Sequence, residues 1–182
     1  MKLFVASDIH GSELYCKKML EAFERSGCAK LVLLGDLLYH GPRNDLPEGY
    51  SPKSVIEQLS GYATRLICVR GNCEAEVDQM VLPFPVMADY AVILNGDRAV
   101  YATHGHKFTP DSPLNLQEGE IMLSGHTHVP HYFEREGRIY ANPGSVSIPK
   151  EGTPHSYMII SDNGTLNWYS LDGEEFFPSR HN

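Results

Sequence analysis

The chain has 182 residues and a formal net charge of −8 at pH 7, with 15 Lys and Arg against 23 Asp and Glu. That length suits one domain, read here as 1–182, with a sizeable core. The acidic balance excludes a general nucleic-acid binder, which would show a basic face. No run approaches the roughly 20 apolar residues of a membrane span. A small phosphate ester stays compatible with the charge, because bound cations reverse the local field.

The N-terminal run Leu3-Phe4-Val5-Ala6 is too short for a signal peptide and reads as a strand closing on Ser7-Asp8-Ile9-His10-Gly11. The expected compartment is therefore the cytoplasm, and Cys16, Cys28, Cys68 and Cys73, which show no paired zinc spacing, are expected as reduced thiols. A helix follows, with Ser12 as N-cap and Tyr15, Met19, Ala22 and Phe23 on one face, ending before Gly27. Lys30-Leu31-Val32-Leu33-Leu34 is a continuous apolar run of the kind buried on both faces, and it ends in Gly35-Asp36. The loop from Tyr39 through His40-Gly41-Pro42-Arg43-Asn44 to Gly49 is long for a structural connection and suits a pocket wall. Ser51-Pro52 opens a second helix as N-cap and first position, with Val55, Ile56 and Leu59 buried; Gly61 marks its vicinity of ending. Arg65–Val69 is a third strand, running into Arg70-Gly71-Asn72-Cys73-Glu74. This β-α-β-α-β order predicts parallel strands with right-handed crossovers.

The second half changes character. Three hairpins are predicted, about Asn95-Gly96, Glu136-Gly137 and Asn163-Gly164. The last of these is also a glycosylation sequon, Asn163-Gly164-Thr165, and is read here only as a turn. Parallel and antiparallel parts together predict a four-layer α-β-β-α sandwich, an α/β (α+β) fold of two mixed sheets packed face to face. Exposed sheet edges suit a homo-oligomer. The tail from Phe176 is expected to be partly loose.

Five polar clusters follow apolar runs: Asp8-Ile9-His10, Gly35-Asp36, Gly71-Asn72, His104-Gly105-His106 and Gly125-His126-Thr127-His128. Residues two apart on a strand face the same side, so such pairs converge on one cavity. Carboxylate, amide and imidazole donors with no thiolate suit Mn²⁺, Fe, Ni²⁺, Mg²⁺ or Zn²⁺ rather than a structural sulfur site.

The five blocks, in this order from Asp8 to His128, resemble the signature of the calcineurin-like metallophosphoesterase family. The His40-Gly-Pro-Arg-Asn44 loop, the Gly-Asn-Cys block and Asn142-Pro-Gly-Ser-Val-Ser147 are similar to its small bacterial phosphodiesterases of the YfcE type. The resemblance implies a dinuclear centre. Asp8, His10 and His128 would hold one ion, and Asn72, His104 and His126 the other. Asp36 would bridge them, and a bridging hydroxide would attack phosphorus. It also suggests Mn²⁺. Cys73 stands where many members carry a histidine that assists the leaving group. A thiol is the poorer proton donor, so diesters are expected over simple monoesters.

Arg43 is the candidate to grip the substrate phosphate. His106 is read as orienting a neighbouring ligand, and His40 is a weaker pocket candidate. His131, His155 and His181 are read as structural or surface residues, and Trp168 and the tyrosines as core. The expected partner is thus a small phosphodiester, not a nucleic-acid polymer or a membrane. A phosphomonoesterase or nucleotidase is the second enzyme reading. A non-catalytic scaffold, as in a retromer subunit built on this fold, is the third; completeness of the ligand set argues against it.

Overall fold

The computed structural model describes residues 1–178; the expected looseness of residues 179–182, and His181 within them, lie outside the described residues. The elements in chain order are β1 (Leu3–Ala6), α1 (Glu13–Ser26), β2 (Lys30–Leu33), α2 (Pro52–Ser60), β3 (Leu66–Cys68), α3 (Glu76–Val81), β4 (Tyr90–Asn95), β5 (Arg98–Thr103), β6 (Ile121–Leu123), β7 (His131–Arg135), β8 (Arg138–Asn142), β9 (Ser156–Ile160), β10 (Leu166–Ser170) and β11 (Glu175–Phe176). Two mixed sheets result. The first runs β11-β10-β9-β1-β2-β3, and the second β4-β5-β6-β8-β7.

Strand β1 pairs in parallel with β2, and β2 with β3, as the alternation of strands and helices predicts. All three predicted hairpins form. Two of them build the second sheet. The third, β9–β10, instead extends the first sheet, because β9 runs antiparallel to β1 on the side away from β2.

Alternation along the strands separates the cores. Phe4, Ala6, Leu31 and Leu33 face α1 and α2, meeting Met19, Phe23, Val55 and Leu59. Leu3, Val5, Val32 and Leu34, with Met158 and Trp168 of their own sheet, face the second sheet and cluster with Val100, Ile121 and Leu123. Each such fully buried large side chain contributes about 1.5–3 kcal/mol. The Trp168 indole N–H donates to the Asn142 carbonyl at 2.7 Å, so the core indole also ties β10 to the end of β8. The far face of the second sheet buries Met122 and Tyr140 beneath Phe108, Leu114 and Leu116, so its outer layer is a loop segment.

Helix boundaries follow local chemistry. The Ser12 hydroxyl accepts from the Tyr15 N–H at 3.3 Å, and Gly27 ends α1 at φ 64°. At α2 the expectation changes. Ser51 makes no side-chain cap, because its hydroxyl is engaged with that of Ser54 at 2.9 Å. Strand β3 is also shorter than predicted, since Ala63–Arg65 winds into a 3₁₀ turn before it. No helix among the described residues is long and apolar enough to cross a membrane.

Candidate metal centre

Parallel β1, β2 and β3 end at the same edge of the first sheet, where their exit loops meet the loops that leave β5 and β6. The turn after β2 is tight. Gly35 has φ 97°, and a side chain there would overlap the Gly71 backbone. At Gly71 a side chain would overlap the Asp36 carboxylate and Glu74. The two glycines thus let the loops after β2 and β3 touch.

Five of the candidate ligands hold left-handed backbone: Asp8 (φ 59°), His10 (48°), Asp36 (55°), His126 (67°) and His128 (63°). For a residue with a β-carbon this costs about 1–2 kcal/mol each. Such strain gathers at functional sites and persists because the surroundings over-determine it. Here the surroundings are visible. The Asp8 N–H donates to Gly35 O, His10 N–H to Asp36 O, and the Ser145 and Ser147 hydroxyls to Asp8 O.

Each of three imidazoles is aimed by its rear nitrogen. The Nδ1 of His10 lies 2.7 Å from Tyr39 O, that of His104 2.7 Å from Leu34 O, and that of His128 2.8 Å from Ile148 O. A carbonyl only accepts, so each Nδ1 carries the proton and each Nε2 faces the cavity as a donor to an ion. His10 and His128 then bring Nε2 atoms within 3.3 Å of each other. The Asp8 Oδ1 is 3.5 Å and 3.3 Å from those same nitrogens. It is buried and has no hydrogen-bond partner among the described residues. Lone pairs set this close without a donor between them call for a cation. Beside this trio, the His104 Nε2 lies 3.0 Å from the Asn72 Oδ1, a second pairing of the same kind.

Asp36 stands between the two groups. Its Oδ1 accepts the Cys73 N–H at 2.9 Å, while its Oδ2 is 3.7 Å from His10 Nε2 and 3.5 Å from His104 Nε2. The closely spaced donor groups are Asp8-His10-His128, His10-Asp36-Cys73 and Asp8-Asp36-His104. The residues present therefore fit divalent ions. His126 joins by its ring, which stands 5.1 Å from that of His104, and by its N–H, which donates to Asp8 Oδ2; its ring nitrogens fall in none of those groups.

Electrostatics follow from burial. Burial opposes charge on Asp8, but the His10 and His128 imidazoles set against its Oδ1, with His104 nearby, outweigh it and hold the carboxyl well below its ordinary value. Burial likewise pushes His10 down, and its partnership with Asp8 raises it overall. Burial and the charge of His104 lower His126. Burial and the Asp36 carboxylate push the Cys73 thiol up, so it is a neutral thiol at neutral pH.

The cleft above these groups encloses about 400 Å³ and includes Arg43, Asn44, Cys73, Thr127 and Lys150 in its walls. His40 does not line the cleft; its ring packs edge-on against Tyr39 and Tyr50. His106 makes ring contacts with His104 and His126. His155 is structural, stacked on Tyr15 with its Nδ1 2.9 Å from Val146 O. All four cysteines are free thiols.

Two residues with a part in this site receive no role from the sequence. Glu74 is 4% exposed and accepts backbone N–H groups from Asp36, Leu37 and Gly71. Burial and Asp36 push its carboxyl up to about 7. Its place three residues after Gly71 carries the only sequence signal. Lys150 follows a proline and carries none.

Residues 1–164 match the Calcineurin-like phosphoesterase superfamily domain. The chain belongs to that superfamily. Among characterised relatives, phosphodiesterase YfcE of Escherichia coli K12 is 47% identical over 174 residues, covering 96% of this chain and 94% of that protein. The probable metallophosphoesterase YsnB of Bacillus subtilis is 25% identical over 185 aligned positions, covering 96% and 94%. The solved structure of Escherichia coli YfcE superposes with a TM-score of 0.94 at 46% identity, covering 98% of each chain. Vacuolar protein sorting 29 from Cryptosporidium parvum shares the fold, with a TM-score of 0.64 at 19% identity over 96% of this chain and 94% of that one. The superfamily and its two-sheet architecture agree with the resemblance drawn from the five motif blocks.

Proposed function

We propose that the chain is a metal-dependent phosphodiesterase with a dinuclear centre. The observation that carries this reading is the Asp36 Oδ2, which faces an imidazole of each donor group within 3.7 Å. Asp8, His10 and His128 would hold one ion, Asn72, His104 and His126 the other, and Asp36 both. The oxygen and imidazole donors suit Mn²⁺ and do not exclude Fe, Ni²⁺, Zn²⁺ or Mg²⁺. Two divalent ions held there would supply an activated water and neutralise charge that builds on the phosphoryl oxygens.

The chain's own groups do the rest. Carbonyls of Tyr39, Leu34 and Ile148 fix the imidazoles, so the donors are preorganised. Arg43 holds the scissile phosphate from the cleft wall by charge-assisted hydrogen bonds. Cys73, whose thiol is pushed up by burial and by Asp36, gives the leaving oxygen little help as an acid. Diesters with stable leaving groups are therefore favoured over alkyl monoesters. The YfcE relative, named a phosphodiesterase and 47% identical, supports the same reaction class.

The test is hydrolysis of bis(p-nitrophenyl) phosphate beside p-nitrophenyl phosphate. The protein is stripped with chelator and then given Mn²⁺. Ion-dependent diester cleavage exceeding monoester cleavage supports the reading. Folded protein that turns over neither ester with any divalent ion defeats it.

A further inference from the structure

Besides the ion-facing donors, two cationic residues line the cleft. Its walls beyond the ion-facing donors are Gly41, Pro42, Arg43, Asn44, Cys73, Thr127 and Lys150. None of these is a carboxylate or a large apolar side chain. Two are cations, and the volume of about 400 Å³ leaves room for much more than one phosphoryl group.

Those two cations are rooted on different walls. Arg43 belongs to the loop after β2. Asn44 pins that loop, its Nδ2 donating to His40 O at 2.8 Å and its N–H to Gly41 O at 3.4 Å. Lys150 stands on the His128 side. Its N–H donates to His128 O at 3.2 Å, and its carbonyl accepts from the Thr153 N–H and hydroxyl at 3.1 Å and 2.7 Å. The backbone of Lys150 is thus fixed beside a candidate ligand, and the residue lines the cleft.

Neither cation has an ion-pair partner among the described residues, although the chain carries an excess of acid. Among the described residues Lys18, Arg65, Lys107, Arg135 and Arg138 meet a carboxylate within 4 Å, whereas other surface cations such as Lys53 and Arg98 do not; what sets Arg43 and Lys150 apart is that they line the cleft. The neighbouring Glu151, in left-handed backbone at φ 55°, forms no ion pair with Lys150. Only Asp36 among the cleft-lining residues is acidic, and it faces the imidazoles. A substrate with a second anionic group offers each of these two cations a counter-charge.

We propose that Lys150 forms a second anion position across the cleft from Arg43, and that the preferred substrates are phosphodiesters bearing a further phosphate group. This rests on the phosphodiesterase reading above. The second phosphate contributes binding remote from the reacting phosphorus, so it lowers KM more than it changes kcat.

A matched pair of esters tests it on the Mn²⁺-loaded full chain. Thymidine 5′-(p-nitrophenyl phosphate) and its 3′-phosphorylated analogue share the scissile diester and the leaving group. The 3′-phosphate should lower KM about tenfold with kcat little changed, the size of one good charged contact. In Lys150→Gln the ratio of the two KM values should fall to about one. In Lys53→Gln, an exposed lysine outside the cleft, the ratio should stay as in the parent chain. By calorimetry, thymidine 3′,5′-bisphosphate should bind more tightly than thymidine 5′-phosphate, with the same dependence on Lys150. A KM ratio near one in the parent chain, or a ratio that survives Lys150→Gln, overturns the second anion position while bis(p-nitrophenyl) phosphate is still cleaved. Failure to cleave any diester overturns the phosphodiesterase reading itself, and this inference with it.

Discussion

The Glu74 carboxylate accepts the backbone N–H of Asp36 at 2.9 Å, and its other oxygen accepts that of Leu37 at 2.7 Å. The Gly71 N–H donates to the same oxygen as Asp36. One buried side chain therefore joins the loops after β2 and β3, and so fixes Asp36 relative to Asn72. Glutamine cannot copy this, because its amide nitrogen would meet an N–H instead of accepting it. Glu74→Gln should cost about 1–3 kcal/mol of stability, the penalty of a buried group left unsatisfied. It should also weaken Mn²⁺ binding about 10–100-fold, as loss of a group that orients ligands does. Urea denaturation and calorimetric titration check both. An unchanged midpoint and an unchanged Kd would remove Glu74 from the centre.

Backbone strain makes a separate prediction at His126, which sits at φ 67°. His126→Gly and His126→Ala both delete the imidazole and should both impair turnover. Only glycine relieves the left-handed conformation. The glycine variant should be more stable than the alanine variant by about 1 kcal/mol, against the usual entropic disadvantage of glycine. Equal stabilities, or a more stable alanine variant, would mean that the strain is not there.

The ion-free centre responds to pH through His10 and Asp8. His10 is raised above the usual 6.5, so its stabilising contribution is complete below that value and is lost as pH rises through its folded value. Asp8 is lowered below 3.8, so its contribution is present above that value and is lost as pH falls further. An arriving ion must displace the proton on His10 Nε2. Ion binding should therefore strengthen from pH 6 to pH 8, and the Mn²⁺-induced rise in Tm should be larger at pH 8. A rise that is equal or smaller at pH 8 would contradict the role given to His10.

Cys73 sets the leaving-group preference. Replacing it with histidine supplies an imidazole whose ordinary value lies near neutrality. Cys73→His should raise monoester turnover by about 10²-fold, the lower range for general acid catalysis, and should change diester turnover much less. Identical diester-to-monoester ratios in the two proteins would show that Cys73 only fills space.

Much of this architecture is legible in the chain itself. The apolar run of β2 reads as buried on both faces, and Leu31 and Leu33 do point opposite to Val32 and Leu34. Turn chemistry places the hairpins, because Asn-Gly and related pairs supply the conformations that tight turns need. Three features are not legible, each for a physical reason. Left-handed backbone at Asp8, His10, Asp36 and His128 contradicts local preference and is imposed by tertiary hydrogen bonds such as His10 N–H to Asp36 O. The docking of β9 against β1 depends on contacts more than a hundred residues apart in the chain, beyond any local signal. Helix α3 is short, and its Val77, Met80 and Val81 are exposed, so it lacks the buried stripe that marks a helix in a sequence.

The most direct test of the dinuclear centre is the number of Mn²⁺ ions bound per chain, measured by calorimetry and by elemental analysis after dialysis, for the parent chain and for Asp36→Asn. Asn keeps the size of the side chain but loses the charge that serves both donor groups. Two ions for the parent chain, fewer than two for Asp36→Asn, and diester turnover lost in step are the predicted results. A parent chain that binds one ion or none while cleaving the diester at full rate would contradict the bridging role of Asp36.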